Sequence, residues 1–147
     1  MRIYDWRIIK LLLNTDGGSR GNPGPAAYGY VIQDITSGAG ILLEKCGNYL
    51  GSTTNNQAEY AGLIAGVKWV LAHYPHANLE IRMDSSLIVN QVKGLYKVKS
   101  PDLLPLYQEA RGLLSQLPHY TISHTYRSGN LQADQLVNDA LDAHQAR

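Results

Sequence analysis

The 147-residue sequence contains a single cysteine, Cys46, so no disulfide bond can form within the chain. We therefore expect a reducing, cytoplasmic environment. Cys46 lies in the apolar-flanked segment ILLEKCGNYL, where the expected role is that of a small packed residue and the alternative is that of a nucleophile. With 44% hydrophobic residues, the chain can bury a core without disulfides or a structural metal. We predict one globular domain over residues 1–147.

Long apolar runs, internal repeats, low-complexity segments and linkers are also missing. The apolar run that follows Arg2 and Arg7 covers only a few residues before a glycine-rich segment begins at Gly17. Such a run is too short for a membrane span and lacks the features of a signal peptide. We expect it to form a first strand, we expect no membrane partner, and we expect the chain to act as a monomer.

A strong excess of basic residues, which is common in nucleic-acid-binding domains, is absent because the formal net charge is only +1. The basic residues are nevertheless unevenly distributed. Residues 85–101 contain no acid, whereas Lys93, Lys97 and Lys99 surround Tyr96 in QVKGLYKVKSP. This segment is either a solvated basic loop or a contact surface for a polyanion.

The order of strand and helix patterns predicts an α/β fold. After the first strand, AYGYVIQDI and AGILLEKCGNYL have the pattern of a hairpin closed by TSGAG. A mostly apolar segment then begins behind Thr53, Thr54 and Asn55 as candidate caps and stops before Pro75, which is typical of a buried helix. Further along the chain follow a strand, two helices, a strand and a helix, in NLEIRM, SSLIVNQVKG, PDLLPLYQEARGLLSQL, YTISHTY and NLQADQLVNDALDAH. We predict a mixed sheet with helices packed on it.

Four acids lie at positions where solvent is not expected. Asp16 and Asp84 each end an apolar strand, whereas Glu59 and Asp134 continue apolar stripes near the start of helices. Each of them alone has a structural explanation, as a turn cap or as a charge that favours a helix N-terminus. Four uncompensated carboxylates at one rim of a sheet would repel one another and raise one another's pKa, and a hard divalent cation removes that conflict. No His or Cys converges with them, which favours Mg²⁺ or Mn²⁺ over Zn²⁺.

Four segments together resemble the motif blocks of type 1 ribonuclease H, in the same order and over nearly the whole chain. They are TDGGSRGNPGPAAYGYVI, TTNNQAEYAGLIAGV, MDSSLIVNQVKG and RSGNLQADQLVNDAL. The resemblance implies the ribonuclease H fold, with a five-stranded mixed sheet flanked by helices. It also implies hydrolysis of the RNA strand of an RNA/DNA hybrid, leaving 5′-phosphate and 3′-hydroxyl ends. The family's metal-binding carboxylates correspond to Asp16, Glu59, Asp84 and Asp134, which would hold two Mg²⁺ ions with Mn²⁺ as a substitute.

The resemblance also implies contacts with the hybrid. RNA differs from DNA by its 2′-hydroxyl, which can both donate and accept a hydrogen bond. Asn22 has an alternative interpretation as a turn residue before Pro23. The residues expected to read the 2′-hydroxyl, the base edges or a DNA phosphate are Gly17, Gly18, Ser19, Asn22, Thr54 and Asn55.

The chain departs from the family pattern at several positions. Ser86 stands where a glutamine is frequent, and Met83 stands where glycine is usual. The segment GLYKVKSP is too short for the basic, Trp-containing insertion of some relatives, so hybrid affinity is expected to depend on Lys93, Tyr96, Lys97 and Lys99.

The segment before the last acid also differs from that of relatives with a catalytic-loop histidine. We expect His124 to be a structural residue of the last strand. Arg127 and Asn130 resemble a pattern of relatives that lack the histidine loop. We expect Arg127 to approach the substrate or the metal site, and Asn130 to contact the substrate.

Two other functions remain as alternatives. A transposase or integrase core would place acids on the same scaffold, although the TNNQAE and GNPGP blocks argue against it. A non-catalytic nucleic-acid-binding module would have little need for all four acids. A nucleotide-binding P-loop is excluded because no lysine follows the glycines in the required arrangement.

Overall fold

The computed structural model describes residues 9–145, so the part of the predicted first strand that precedes Ile9 lies outside the described residues. Five strands and four α-helices alternate much as the sequence predicts. The strands are β1 (Lys10–Ser19), β2 (Gly24–Asp34), β3 (Ile41–Thr53), β4 (Asn78–Met83) and β5 (His119–His124). The helices are α1 (Asn55–His73), α2 (Ser86–Val92), α3 (Leu104–Leu114) and α4 (Leu131–Gln145), with a 3₁₀ turn at Arg127–Gly129.

The five strands form one mixed sheet in the order β3-β2-β1-β4-β5. The first three strands pair antiparallel, because each follows its neighbour directly in the chain. Strands β4 and β5 are parallel to β1, and each is reached through helical segments. This arrangement confirms the predicted mixed sheet flanked by helices.

Helix α1 packs directly on β1 and lies at the centre of the main hydrophobic cluster. Two glycines permit this close approach. A Cβ at Gly62 would lie 2.6 Å from Oγ1 of Thr15, and a Cβ at Gly66 would lie 2.7 Å from Cδ1 of Leu13. The helix begins where predicted: Oγ1 of Thr54 accepts a hydrogen bond from the backbone N–H of Gln57, whose side chain accepts one from the Thr54 N–H in return.

Helix α4 covers the opposite face of the sheet. Tyr28 and Gly29 are neighbours in β2, so their Cβ directions alternate between the two faces. The Cβ of Tyr28 lies near Gly62 of α1, whereas a Cβ at Gly29 would lie 2.5 Å from the carbonyl oxygen of Ala133 in α4. A small separate cluster of buried residues fastens α4, namely Ala27, Val137 and Leu141.

Strand β1 continues further than its apolar pattern predicts. Asp16 does not end the strand, because Gly17 and Gly18 pair with Tyr28 and Ala27 of β2 and remain extended. The parallel pairing with β4, in contrast, stops one residue before Asp16. The predicted strand end is therefore the point where β4 separates from β1, and it opens a crevice beside Asp16. Within residues 9–145, no helix combines the length and apolar character needed to cross a membrane.

Candidate metal centre

Three of the four predicted acids converge at the point where β4 separates from β1. The last parallel pair is Thr15 with Met83, so the next residues are Asp16, which continues β1, and Asp84, which directly follows β4. Glu59 reaches the same place from the second turn of α1. One carboxylate oxygen of each of these three residues lies within 4.8 Å of those of the other two.

Gly17 explains why α1 comes so close to this point. A Cβ at Gly17 would lie 2.3 Å from the carbonyl carbon of Ala58, so no larger residue fits between β1 and α1. The backbone N–H of Gly17 lies between two acids and donates to Oδ1 of Asp16 at 2.9 Å and to Oε1 of Glu59 at 3.3 Å. A glycine at this position is therefore required by the packing of α1 on β1.

The electrostatic environment of Asp16 and Glu59 disfavours their charged forms. Burial, followed by the charges of Asp84 and Asp134, raises the pKa of Asp16 to about 7. Burial and the neighbouring charge of Asp16 raise the pKa of Glu59 well above its usual range. The neighbouring charges act on Asp16 and Glu59 in the predicted direction, but burial is the larger cause of the raised pKa in both residues.

The donor set fits a hard divalent cation. Oε2 of Glu59 is buried without a hydrogen-bond partner in the part of the chain that the structure describes. A buried carboxylate oxygen without a partner is costly, and a cation would supply the missing interaction. All the ligand atoms of the group are carboxylate oxygens, which Mg²⁺ and Mn²⁺ prefer.

Asp134 lies close by but is not a member of this group. It stands in the first turn of α4 and lines the same cleft. Its Oδ1 accepts a hydrogen bond from Nη2 of Arg127 at 3.1 Å, and its Oδ2 accepts one from Nδ2 of Asn138 at 3.4 Å. The sequence predicted four converging acids, whereas the structure brings three together and pairs the fourth with an arginine.

The acids lie in an open cleft of about 420 Å³ between the first turns of α1, the β1–β2 connection and α4. Five of the predicted substrate-contacting residues line it: Gly17, Gly18, Ser19, Asn55 and Arg127. Gly18 leaves space there, since a Cβ would meet no atom closer than 3.9 Å. The sequence prediction missed Arg20, Asn56, Ser85 and Asn138, which also line the cleft. Two of these residues could have been found from the sequence, because Arg20 is a basic residue within the glycine-rich segment and Asn138 lies one helical turn after Asp134.

Asparagine and threonine side chains at the start of α1 have partners within the protein. Oδ1 of Asn55 accepts hydrogen bonds from the backbone N–H of Ser19 at 2.8 Å and from its hydroxyl at 3.1 Å. Oδ1 of Asn22 accepts one from the Asn55 N–H at 3.0 Å. The contact that either asparagine offers to a substrate is therefore its Nδ2 donor. The Thr54 hydroxyl caps α1, as described above.

The remaining predicted contacts lie away from the cleft. Asn130 is buried and its carboxamide forms hydrogen bonds with Asn14 and with the carbonyl of Thr15. His124 is the last residue of β5, as predicted, and packs edge-on against Tyr126. The predicted residues of the basic segment after α2 are all exposed, and those beyond α2 lie in a stretch without helix or strand. None of them lines the cleft: Lys93, Tyr96, Lys97 and Lys99.

Comparison with known proteins gives a family match over most of the chain. The family model described as reverse transcriptase-like matches residues 14–140. The bifunctional protein Rv2228c of Mycobacterium tuberculosis is 44% identical over 135 residues, which are 92% of this chain and 36% of that protein. Ribonuclease HI of Halobacterium salinarum is 42% identical over 127 residues, which are 86% of this chain and 62% of that protein. The chain thus spans less than two thirds of both curated relatives.

A solved structure agrees with these relatives. LC11-RNase H1, crystallised in complex with an RNA/DNA hybrid, superposes with a TM-score of 0.85 and 38% identity, covering 92% of this chain and 99% of that one. The shared fold, the matched range and the acid group at the end of the β1–β4 pairing all agree with the resemblance carried by the four motif blocks. On these grounds the chain belongs to the type 1 ribonuclease H family.

Proposed function

We propose that this chain is a metal-dependent endoribonuclease that hydrolyses the RNA strand of RNA/DNA hybrids and leaves 5′-phosphate and 3′-hydroxyl ends. The observation that carries the proposal is the group of Asp16, Glu59 and Asp84 in an open cleft, where one buried carboxylate oxygen has no hydrogen-bond partner among residues 9–145. The relative solved with an RNA/DNA hybrid supports the choice of substrate.

The residues that would hold the metal are Asp16, Glu59 and Asp84. Asp134 would join them by exchanging its ion pair with Arg127 for the metal. We propose two Mg²⁺ ions, with Mn²⁺ as a substitute. Two such ions, when bound, lower the pKa of a water and stabilise the leaving 3′-oxygen of the scissile phosphate. Asp16 is the central ligand in this proposal, because it lies next to both Glu59 and Asp84 and is coupled electrostatically to Asp134.

The protein's own side chains then bind and orient the hybrid. Nδ2 of Asn55 and Nδ2 of Asn22 donate to the 2′-hydroxyl or to base edges, because the Oδ1 atom of each is used within the protein. The main chain from Gly17 to Ser19 borders the cleft and Gly18 leaves room for close approach. Arg127 also borders the cleft, where its guanidinium suits a phosphate.

Further contacts are proposed outside the cleft. Thr54 lies next to Asn55 and would approach a DNA phosphate. The exposed side chains of Lys93, Lys97 and Lys99 would neutralise backbone phosphates. Tyr96, which is 52% exposed, would offer a stacking surface for a sugar. We also propose a single-domain monomer that acts in the reducing cytoplasm. The free, partly buried Cys46 supports the choice of compartment.

The test is cleavage of an RNA/DNA hybrid labelled in turn on each strand, beside matched DNA and RNA duplexes. We expect cleavage of the hybrid's RNA strand with Mg²⁺, loss of cleavage in excess chelator, and 3′-hydroxyl ends that a polymerase extends. Asp16→Asn and Glu59→Gln should lose nearly all turnover. Glu109→Gln, which changes an exposed acid paired with Lys68 on α1, should keep it.

Other outcomes identify the alternative functions. Cleavage of a DNA strand would indicate a transposase- or integrase-like nuclease on the same fold. Tight hybrid binding without cleavage under any divalent cation would indicate a non-catalytic binding module. Either result overturns the proposal.

A further inference from the structure

We propose that Asn130 is a positioning residue, whose side chain fixes the first turn of α4, with Asp134, against the part of β1 that carries Asp16. This role differs from the substrate contact that the sequence pattern predicts for Asn130. The inference rests on the function proposed above, because it concerns the alignment of two of the four acids.

Both ends of the Asn130 carboxamide are engaged within the protein. Nδ2 donates to the carbonyl of Thr15 at 2.9 Å, and Oδ1 accepts from Nδ2 of Asn14 at 3.1 Å. The same Nδ2 of Asn14 also lies 3.3 Å from the carbonyl of Gly129, just before Asn130. Two consecutive residues of β1 therefore hold the segment that leads into α4.

These hydrogen bonds form a short connection between two acids. Thr15 precedes Asp16 directly and is the last residue of β1 that pairs with β4. The backbone carbonyl of Asn130 accepts the N–H of Asp134 at 3.0 Å in the first turn of α4. The carboxamide thus joins the strand that supplies Asp16 to the helical turn that supplies Asp134.

The surroundings of Asn130 do not suit a substrate contact. The residue is 2% exposed and does not line the acidic cleft. It borders instead a separate groove on the sheet, beside Leu12, Gln33 and Arg82. A hybrid bound in the cleft would meet Asn55, whose Nδ2 donates to none of the residues that the structure describes, but not the carboxamide of Asn130.

The need for such a connection follows from how α4 is attached. Asp16, Glu59 and Asp84 stand on elements that share the main hydrophobic cluster, whereas α4 packs through a small separate one. A displacement of about 1 Å in an active site can lower turnover about a hundredfold. The buried, hydrogen-bonded Asn130, directly before α4, would restrict displacement of Asp134 relative to Asp16.

Four variants test the inference. Asn130→Ala removes the connection, and Asn14→Ala weakens it from a residue that does not line the cleft. Asn55→Ala serves as the substrate-contact reference. Val70→Ala, in the core near the end of α1, serves as a control for lost stability alone. For each we would measure kcat and KM on labelled hybrid, hybrid affinity in chelator, and the rise in Tm on adding Mg²⁺.

We expect Asn130→Ala to lower kcat at least tenfold and to reduce the Mg²⁺-induced rise in Tm, with KM and hybrid affinity within about twofold of the parent. Asn14→Ala should change the same quantities in the same direction but less, and the double variant should be no worse than Asn130→Ala alone. Asn55→Ala should raise KM, and Val70→Ala should lower Tm with kcat kept.

Three results would overturn the inference. The first is weaker hybrid binding by Asn130→Ala with kcat kept, which is the signature of a substrate contact. The second is an equal loss of kcat in Val70→Ala at equal loss of Tm. The third, decisive even if Asn130→Ala fails to fold, is an Asn14→Ala variant identical to the parent in kcat and in Mg²⁺ response. If the parent itself does not cleave hybrids, the proposed function fails, and the Mg²⁺ response of the variants still tests the positioning of Asp134.

Discussion

Nη2 of Arg127 lies 3.1 Å from Oδ1 of Asp134, seven residues further along the chain. The arginine side chain is 72% exposed and the carboxylate only 22%, so the pair lies at the mouth of the cleft with its acid turned inward. In the proposed function, a cation that binds Asp134 competes with this arginine. The ion pair would then set part of the concentration of divalent metal at which all four acids are engaged.

Replacing Arg127 by Ala should reduce the Mg²⁺ concentration at half-maximal stabilisation. An exposed ion pair contributes about 0.2–1 kcal/mol, which corresponds to a shift of at most about fivefold. The measurement is Tm against Mg²⁺ concentration without substrate. Arg82→Ala, which removes an arginine paired with Glu80 outside the cleft, is the matched control and should leave the midpoint unchanged. A midpoint that rises in Arg127→Ala contradicts the competition.

The two consecutive glycines after Asp16 should respond differently to alanine. Gly17→Ala places a Cβ 2.3 Å from the backbone of Ala58, so we expect a loss of about 3 kcal/mol of unfolding free energy or failure to fold. Gly18→Ala meets nothing closer than 3.9 Å, so its Tm should stay near that of the parent while hybrid affinity falls. Chemical denaturation and hybrid titration measure the two quantities. Equal stability of the two variants would show that α1 does not require Gly17.

The contribution of Asp16 to the stability of the metal-free protein should fall as the pH rises from about 4 to about 7. The folded-state pKa of Asp16 is raised to about 7, above its unfolded value, so the folded state binds the proton more tightly. The stability from this group is fully present below the unfolded pKa and is lost as the pH passes through the folded pKa. Burial also raises the pKa of Glu59, so its contribution to stability changes with pH in the same direction.

The measurement is Tm in chelator across this pH range, with Asp16→Asn as the comparison because it cannot titrate at that position. The parent should fall relative to the variant as the pH rises. Saturating Mg²⁺ should remove the difference in slope, since metals bind the ionised carboxylates. Parallel curves for parent and variant in chelator would show that Asp16 titrates normally.

Removing the three lysines of the segment after α2 should flatten the salt dependence of hybrid binding. Each phosphate contact contributes about 0.9 to the slope of log K against log salt on a duplex. The variant is Lys93→Ala, Lys97→Ala and Lys99→Ala combined, measured in chelator by fluorescence anisotropy. A triple variant of Lys10, Lys45 and Lys68 carries the same loss of charge elsewhere. If both triple variants change the slope equally, the segment is a solvated loop.

The sequence was sufficient to predict most of the fold because its boundaries carry local signals. Thr54 caps α1, Pro75 follows its end, and Gly94 adopts a positive φ of 80° after α2, as a helix-terminating glycine does. The extension of β1 was missed because Gly17 and Gly18 read as loop residues. Their extended conformation depends on pairing with β2, which a local pattern does not show.

The acids of the site could be predicted from the sequence, but the residues that form hydrogen bonds around them could not. Asp16, Glu59 and Asp84 stand out because acids are unusual in apolar strands and stripes. The pairing of Asp134 with Arg127 depends on a 3₁₀ turn between them, and the partner of Asn130 is 115 residues away in the chain. Neither contact produces a periodic pattern of hydrophobic residues in the sequence, so both can be identified only in the folded structure.

Because α4 is fastened by a small cluster of its own, the protein has two parts with different resistance to local opening. Amide protons of α4 should exchange with solvent earlier than those of α1, which lies within the main cluster. In such a partly opened form Asp16, Glu59 and Asp84 stay assembled while Asp134 and one wall of the cleft depart. A molecule in that form would keep Asp16, Glu59 and Asp84 together but would lack Asp134. Reversible loss of the proposed hybrid cleavage on mild heating should therefore precede global unfolding.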